Sequence, residues 1–143
     1  MKKKLLFAIC ISTLVFQSCN KDESETCPTS IASVSGTYKL TGLVYKSASA
    51  QEADWFANGT VQACKKDDLY VLASNGDFNI QDAGTVCSNP GDYAGIWTLV
   101  DGNIDMDGYY SGTISSFDCK TLVFTQNDAL DTGDKLTATF VKQ

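Results

Sequence analysis

Short runs of alternating polar and apolar residues constrain the fold of this chain more than any other sequence feature. From residue 36 onward the alternation has a period of two, and each run stops at residues typical of turns. Asn75-Gly76 favours a type I′ hairpin turn, and Asp101-Gly102 marks a second hairpin. About eight such strands joined by short turns predict an all-β fold, a single antiparallel up-and-down barrel over residues 36–143.

One long segment, residues 47–63, interrupts the alternation between the first two predicted strands. It is rich in alanine and carries Trp55 and Phe56. Residues 50–57 suit a short helix, so we expect one short helix or a long loop here. A connection of this length with two large aromatic side chains belongs over one end of a barrel. Trp55 and Phe56 are therefore expected either to contact a ligand or to plug that end.

The N-terminal residues have the composition of an export signal. Three lysines at 2–4 precede an apolar stretch, 5–16, which is shorter than the roughly 20 residues that a membrane-spanning helix needs. Ser18-Cys19 then places a small residue before a cysteine, where a lipoprotein signal peptidase cuts. We therefore predict a lipoprotein signal peptide over 1–18 and attachment of lipid, such as palmitate, at Cys19.

The residues around Cys19 resemble those of lipoproteins from Bacteroidota. Phe16 and Gln17 depart from the usual lipobox, and such looseness is typical of that group. Lys21-Asp22-Glu23 is similar to the signal that sends its lipoproteins to the outer face of the outer membrane. We predict a lipidated tether over 19–35, and the alternative is that its charged residues are ordinary parts of a polar tether and no export signal. Because two or three acyl chains give stable anchoring, we expect a cell-surface protein held on the outer membrane by its lipid.

Four cysteines remain after signal cleavage and lipidation of Cys19, namely Cys27, Cys64, Cys87 and Cys119. In an exported protein they predict two disulfides, for which three connectivities exist. We favour Cys64–Cys87, which would bracket a strand hairpin, with Cys27–Cys119 then pinning the tether to the barrel. Metal binding is the competing interpretation, but the sequence has no CxxC pair and no histidine.

The absence of two residue types restricts the chemistry of the chain. It has no histidine, and its 11 basic residues are all lysines, set against 17 Asp and Glu. There is thus no imidazole base and no guanidinium clamp for phosphate. The formal net charge of −6 disfavours nucleic acid, because phosphate binding needs cations. Adjacent carboxylates such as Asp67 and Asp68 would face opposite ways on a strand, so we expect no catalysis and no cofactor.

Two acidic turns, 103–108 and 127–134, have the composition of cation-binding loops. In the first, Ile114 holds the position where a calcium loop needs a bidentate Glu. We therefore expect solvated carboxylates in both turns and predict no metal site.

Six segments of the barrel region follow one another in a distinctive order. They are GTYKL (36–40), CKKDD (64–68), SNGDF (74–78), Cys87, GIWTL (95–99) and TLVFT (121–125). In this order and spacing they resemble the lipocalin-like domain family of small bacterial lipoproteins. The resemblance covers most of 36–141. It implies an antiparallel β-barrel or half-open sandwich with generally no enzymatic activity, and it supports pairing Cys64 with Cys87.

The chain departs from true lipocalins at the base of the barrel. Those relatives usually carry a Gly-x-Trp on the first strand and stack an arginine on the Trp, whereas this chain has Tyr38 and no arginine. Lys135 or Lys142 is expected to supply a cation–π contact of roughly 0.5–1 kcal/mol instead.

The inside of the barrel is the predicted functional site. The candidate ligand-binding residues are Tyr38, Trp55, Phe56, Tyr70, Phe78, Trp97 and Phe124. Because an interior of this size holds one small molecule, we expect a monomer that binds a small apolar or amphipathic ligand without catalysis. The alternative is a surface module that docks a protein or glycan partner and has a filled barrel.

Overall fold

The computed structural model describes residues 27–88 and 91–143, where the chain forms nine strands and one short helix. The predicted signal peptide and Cys19 lie outside the described residues. No helix within these ranges is long and apolar enough to span a bilayer. The elements are α1 (Ile31–Val34), β1 (Gly36–Lys46), β2 (Glu52–Asp54), a 3₁₀ turn (Ala63–Lys65), β3 (Leu69–Leu72), β4 (Asp77–Gln81), β5 (Tyr93–Val100), β6 (Asn103–Met106), β7 (Ser111–Phe117), β8 (Thr121–Asn127) and β9 (Lys135–Lys142).

Eight of the described strands close into an antiparallel barrel, which confirms the predicted fold class. β1 pairs with β3, the strands then follow in chain order to β9, and β9 pairs back with β1. β2 is an additional strand bonded to the second half of β1. Because the sheet closes on itself, most strands of the barrel have a hydrogen-bonded neighbour on both sides and leave no free edge.

The helix alternative for residues 50–57 is wrong, and a long connection containing β2 is found there. β1 has 11 residues, but β3 pairs only with residues 36–38, so the second half of β1 has an open edge. β2 pairs with Val44, Tyr45 and Lys46 on that edge. Pairing satisfies the backbone groups of both segments, which outweighs the helix propensity of the alanines. Ala50 also has a positive φ of 65°, which no α-helix accommodates.

The barrel has two distinct ends, which we name the base and the mouth. β1 starts at the base, where the β3–β4, β5–β6 and β7–β8 turns also lie. The mouth carries the β1–β3 connection and the links from β4 to β5, from β6 to β7 and from β8 to β9.

Helix α1 covers the base. Ser30 caps it by accepting the Ser33 N–H at 3.3 Å, and Val34 is fully buried in the barrel. The Tyr38 hydroxyl donates to the Val34 carbonyl at 2.6 Å, and Lys142 Nζ donates to the Ser33 carbonyl at 2.8 Å. The barrel thus satisfies carbonyl groups that so short a helix leaves open.

Lys142 also makes the cation–π contact expected at the base. Its Nζ lies 5.5 Å from the ring centroid of Tyr38 and 5.9 Å from that of Phe117. Lys135, the other candidate, is exposed at the opposite end of β9. The prediction is confirmed for Lys142, because the end of β9 pairs with the start of β1 and brings the lysine stem across it.

A solid core of side chains fills the barrel above α1. Four of the sequence candidates, Tyr38, Phe78, Trp97 and Phe124, are at most 3% exposed. Phe124 stacks on Phe140 with ring centroids 5.7 Å apart. The inward orientation predicted for these residues is confirmed, and their mutual packing makes this part of the interior a core.

Both disulfides favoured from the sequence are present. Cys64–Cys87 joins the segment before β3 to the segment after β4, at a sequence separation of 23. Cys27–Cys119 joins the segment before α1 to the β7–β8 turn, at a separation of 92. One bridge therefore braces the mouth and the other braces the base.

Candidate functional site

An open cup of about 410 Å³ lies at the mouth, above the solid core. Three inward-facing barrel residues, Leu40, Tyr70 and Ile80, line its lower part. Val61, from the long β1–β3 connection, adds an apolar surface from the side. The alternation of β1, β3 and β4 positions the lower residues, since each points into the barrel at the level where the core ends.

Tyrosines form one wall of the cup. The rings of Tyr70 and Tyr110 meet edge to face with centroids 6.0 Å apart, and Tyr109 lies 6.1 Å from Tyr110. Burial raises the pKa of both Tyr70 and Tyr110, and the neighbouring Tyr110 raises that of Tyr70 further. Both phenols are therefore neutral at physiological pH and present hydroxyl groups as well as ring faces.

The β6–β7 turn holds the tyrosine wall in place. Tyr93 on β5 donates its hydroxyl to Asp107 at 2.5 Å, and its ring lies 5.4 Å from that of Tyr109. The hydrogen bond to Asp107, ahead of burial, raises the pKa of Tyr93. Asp105 accepts the Gly108 N–H at 2.8 Å. Both carboxylates of this acidic turn are exposed, as expected from the sequence, and each also accepts a hydrogen bond from a protein group.

A buried carboxylate lies beside the tyrosines. Asp68 immediately precedes β3 and is only 1% exposed. Its Oδ2 lies 3.7 Å from Lys65 Nζ, whereas its Oδ1 has no hydrogen-bond partner among the described residues. Burial raises the pKa of Asp68, Lys65 and a backbone hydrogen bond from Ala83 act in the opposite direction, and the nearby Asp82 and Asp67 raise it again.

Lys65 reaches Asp68 because of two local features. It ends the 3₁₀ turn that contains Cys64, so the Cys64–Cys87 disulfide fixes its backbone. Gly91 provides room for the ammonium group, since a Cβ there would stand 1.8 Å from Lys65 Nζ. Any side chain at position 91 would therefore displace the lysine from the cup.

The residues predicted to bind a ligand occupy three different places. Tyr70 lines the cup, whereas Tyr38, Phe78, Trp97 and Phe124 lie in the solid core below it. Trp55 stacks on Tyr45 with centroids 4.8 Å apart. Phe56 lies under Lys66, whose Nζ is 4.7 Å from the ring centroid. Both are partly buried against the hydrophobic core, and neither lines the cup.

Sequence reasoning missed Lys65, Asp68, Tyr109 and Tyr110 as site residues. Lys65 and Asp68 belong to the CKKDD segment next to Cys64, so a disulfide tied to the barrel mouth was the available signal. Tyr109 and Tyr110 follow Gly108 in a turn, and nothing in the alternation indicates that this turn folds over the barrel opening.

A second concavity, a groove of about 450 Å³, lies outside the barrel at the base. It runs along the outer face of β7 beside the Cys27–Cys119 disulfide. Its charged residue, Asp118, accepts the Lys120 and Thr121 N–H groups at 2.9 and 2.5 Å. The hydrogen bonds from Thr121 and Lys120 lower the pKa of Asp118, so this carboxylate is already used within its own turn. The cup at the mouth is therefore the better candidate site.

Comparison of the sequence with protein-family models and with curated proteins finds no match. The cup itself has the properties of a small-molecule site. Its volume falls within the roughly 300–1,000 Å³ of typical small-molecule sites. Aliphatic and aromatic surfaces with a few convergent polar groups are also the usual lining of such sites.

Proposed function

We propose that this protein is a lipid-anchored binding protein that holds one small amphipathic ligand in the cup, without catalysis. One observation carries the proposal: a cup of about 410 Å³ opens above a solid core and combines aliphatic, tyrosine and carboxylate surfaces. The apolar lining suits the body of such a ligand, and Asp68 together with the tyrosine hydroxyls suits its polar end.

The construction of the mouth also supports binding. The Cys64–Cys87 disulfide braces the segment that carries Val61 and Lys65, and the core below gives the cup a rigid floor. A site that is ordered before its ligand arrives loses less conformational entropy on binding.

The titratable groups of the cup favour binding over catalysis. Tyr70 and Tyr110 have raised pKa values and stay protonated, so neither is a ready base. The sequence contains no histidine to relay a proton. Asp68 and Lys65 are the remaining candidates, and each already faces the other.

The anchor predicted at Cys19 suggests an orientation on the cell surface. Cys27, eight positions further along the chain, is bonded to Cys119 at the base. A segment of this length spans at most roughly 3.5 Å per residue, so the base would lie near the outer membrane and the mouth away from it. Ligand would then enter from the external medium.

A second candidate function is the docking of a protein or glycan partner. Ile96 and Val100 favour it, because their side chains are 61% and 63% exposed on the outer face of β5. Two exposed aliphatic side chains form a much smaller feature than the cup, so we rank this function second.

Native mass spectrometry of the full chain purified from its own membrane tests the proposal. We expect a small-molecule adduct on the wild type that is lost in Val61→Trp, which fills the cup. Ile96→Trp, a matched addition of bulk on the outer face, should keep the adduct. A wild type without an adduct, or an adduct that survives in Val61→Trp, would contradict ligand binding in the cup.

A further inference from the structure

Three carboxylates near the cup carry buried oxygens with no hydrogen-bond partner among the described residues. They are Oδ1 of Asp67, Oδ1 of Asp68 and Oδ1 of Asp82. In Asp67 and Asp82 the other oxygen, Oδ2, already accepts a hydrogen bond. Asp67 accepts the Thr85 N–H at 2.7 Å, and Asp82 accepts the Gly91 N–H at 3.2 Å. Only Asp68 among the three lines the cup, so its carboxylate is the one that a ligand in the cup would meet.

The charges around this oxygen do not balance. Lys65 faces Asp68 at 3.7 Å, through Oδ2 alone, and its side chain is 29% exposed. The neighbouring Lys66 is directed at the Phe56 ring instead. One ammonium group therefore stands against three carboxylates, which gives this side of the cup a negative potential.

We infer that the ligand carries a protonated amine, which donates to Oδ1 of Asp68 while its apolar part lies against Tyr70, Tyr110 and Ile80. This inference rests on the proposed function and specifies its ligand class. An ammonium donor would satisfy the buried oxygen with a charge-assisted hydrogen bond, which is about twice as strong as a neutral one. The tyrosine ring faces attract cations as well.

Other ligand classes fit this corner of the cup less well. A carboxylate-bearing ligand would bring a second negative charge to a site already rich in carboxylates. A neutral alcohol would also donate a hydrogen bond to the carboxylate, but it carries no positive charge for the negative potential of the site to attract. Within the described residues, acidic side chains do not converge in a group able to hold a metal ion.

A matched series of three probes tests the ligand class. Hexylammonium, 1-hexanol and hexanoate share one alkyl chain and differ in the end group. We would titrate each into the full chain and follow backbone amide shifts by heteronuclear NMR. We expect the Kd of hexylammonium to be at least about tenfold lower than that of hexanol, with hexanoate weakest, because only hexylammonium brings a full positive charge to a buried carboxylate.

Three variants locate the effect at Asp68. Asp68→Asn should raise the Kd of hexylammonium about tenfold and leave that of hexanol unchanged. Lys65→Met removes the competing cation and should tighten hexylammonium binding, which keeps the test valid even if Asp68→Asn fails to fold. Asp101→Asn makes the same charge change at the exposed β5–β6 turn of the base and should change neither Kd.

The outcomes separate this inference from the proposed function. If hexanol or hexanoate shifts the cup amides with a Kd as low as that of hexylammonium, the inference of an amine ligand is contradicted. The cup would still be a binding site. Weakened hexylammonium binding in Lys65→Met would also contradict the inference of an amine ligand. If none of the three probes shifts the amides of the cup, both the inference of an amine ligand and the proposed binding function are contradicted.

Discussion

Lys142 joins the end of β9 to α1 and to the first strand. Its ammonium donates to the Ser33 carbonyl at 2.8 Å and lies over the rings of Tyr38 and Phe117. Gly36 leaves room for the aliphatic part of the Lys142 side chain, because a Cβ at position 36 would stand 2.4 Å from Lys142 Cε. Burial lowers the pKa of this lysine, so its hydrogen bond and ring contacts also have to offset the cost of desolvating the charge.

Replacing Lys142 by methionine should therefore destabilise the barrel by about 1 kcal/mol, because a charged donor is lost and the Ser33 carbonyl loses its partner. Urea unfolding followed by circular dichroism measures this free energy. Lys120→Met is the matched control, since Lys120 is exposed on the β7–β8 turn. Equal midpoints for Lys142→Met and the control would contradict the role of Lys142.

Asp134 organises the β8–β9 turn from inside. Its carboxylate accepts the N–H groups of Ala129, Leu130 and Asp131 at 2.7, 3.1 and 2.8 Å, and its side chain is 1% exposed. Burial raises the pKa of Asp134, but the hydrogen bonds from Asp131, Tyr45, Ala129 and Leu130 together hold it below its ordinary value. The expectation of solvated carboxylates in this turn is therefore wrong for Asp134.

The depressed pKa of Asp134 predicts a pH-dependent contribution to stability. The contribution is fully present above the unfolded-state pKa of about 3.9 and is lost as the pH falls through the lower folded-state pKa. Asp134→Asn should thus be less stable than the wild type near pH 7, and this difference in stability should shrink as the pH falls below about 3.9. Asp131→Asn is the control, with an exposed carboxylate in the same turn. A gap that stays constant with pH would contradict this assignment.

At the scale of elements, the hairpin strands were predictable and the long connection was not. Turn residues such as Asn75-Gly76 define the hairpins locally, and period-two alternation identifies which side faces the core. Residues 52–54 form a strand because one edge of β1 is left open. That open edge exists only after β3 has paired with the start of β1 and β9 has paired along its other edge. Such a tertiary effect is absent from local sequence patterns, so the helix alternative for 50–57 failed.

The two disulfides should have separable effects on the ends of the barrel. Loop-closure entropy gives roughly 3 kcal/mol for Cys64–Cys87 and roughly 4–5 kcal/mol for the longer Cys27–Cys119 loop. We expect the paired variant Cys64→Ser/Cys87→Ser to speed hydrogen exchange at the mouth, around residues 60–65. Cys27→Ser/Cys119→Ser should lower global stability more and speed exchange in α1.

Hydrogen exchange and guanidinium unfolding of the two paired variants measure these effects, and each variant serves as the control for the other. The same exchange pattern in both variants, or faster exchange of α1 when the mouth bridge is removed, would contradict separate braces for the two ends.

At the scale of the whole molecule, the barrel was predictable and most of the cup was not. The alternation identified Tyr70 as inward-facing, but it does not reveal how high the core fills the barrel. Lys65 and Tyr110 come from connections whose positions depend on a disulfide and on ring packing across strands. A functional site formed between loops is therefore visible only after folding, even when each strand is recognised in advance.

The predicted anchor makes the location of the whole molecule testable. Cys19→Ala removes the acceptor for lipid, so the protein should leave the membrane fraction and become soluble after export. Immunoblots of fractionated cells measure this distribution, and Ser18→Ala, which keeps a small residue before Cys19, should remain in the membrane. Full membrane retention of Cys19→Ala would contradict lipid anchoring.

A pair of NMR spectra tests most directly whether the cup holds a ligand above a solid core. The first is recorded on the full chain as purified from isotope-labelled cells. The second follows unfolding, gel filtration and refolding with the disulfides intact, which removes a bound molecule. We predict amide shift changes confined to the lining of the cup, at residues 60–65, 68–70, 91 and 109–110 and at positions 40 and 80. Identical spectra, or changes centred on the base or on the outer face of β5, would contradict ligand binding in the cup.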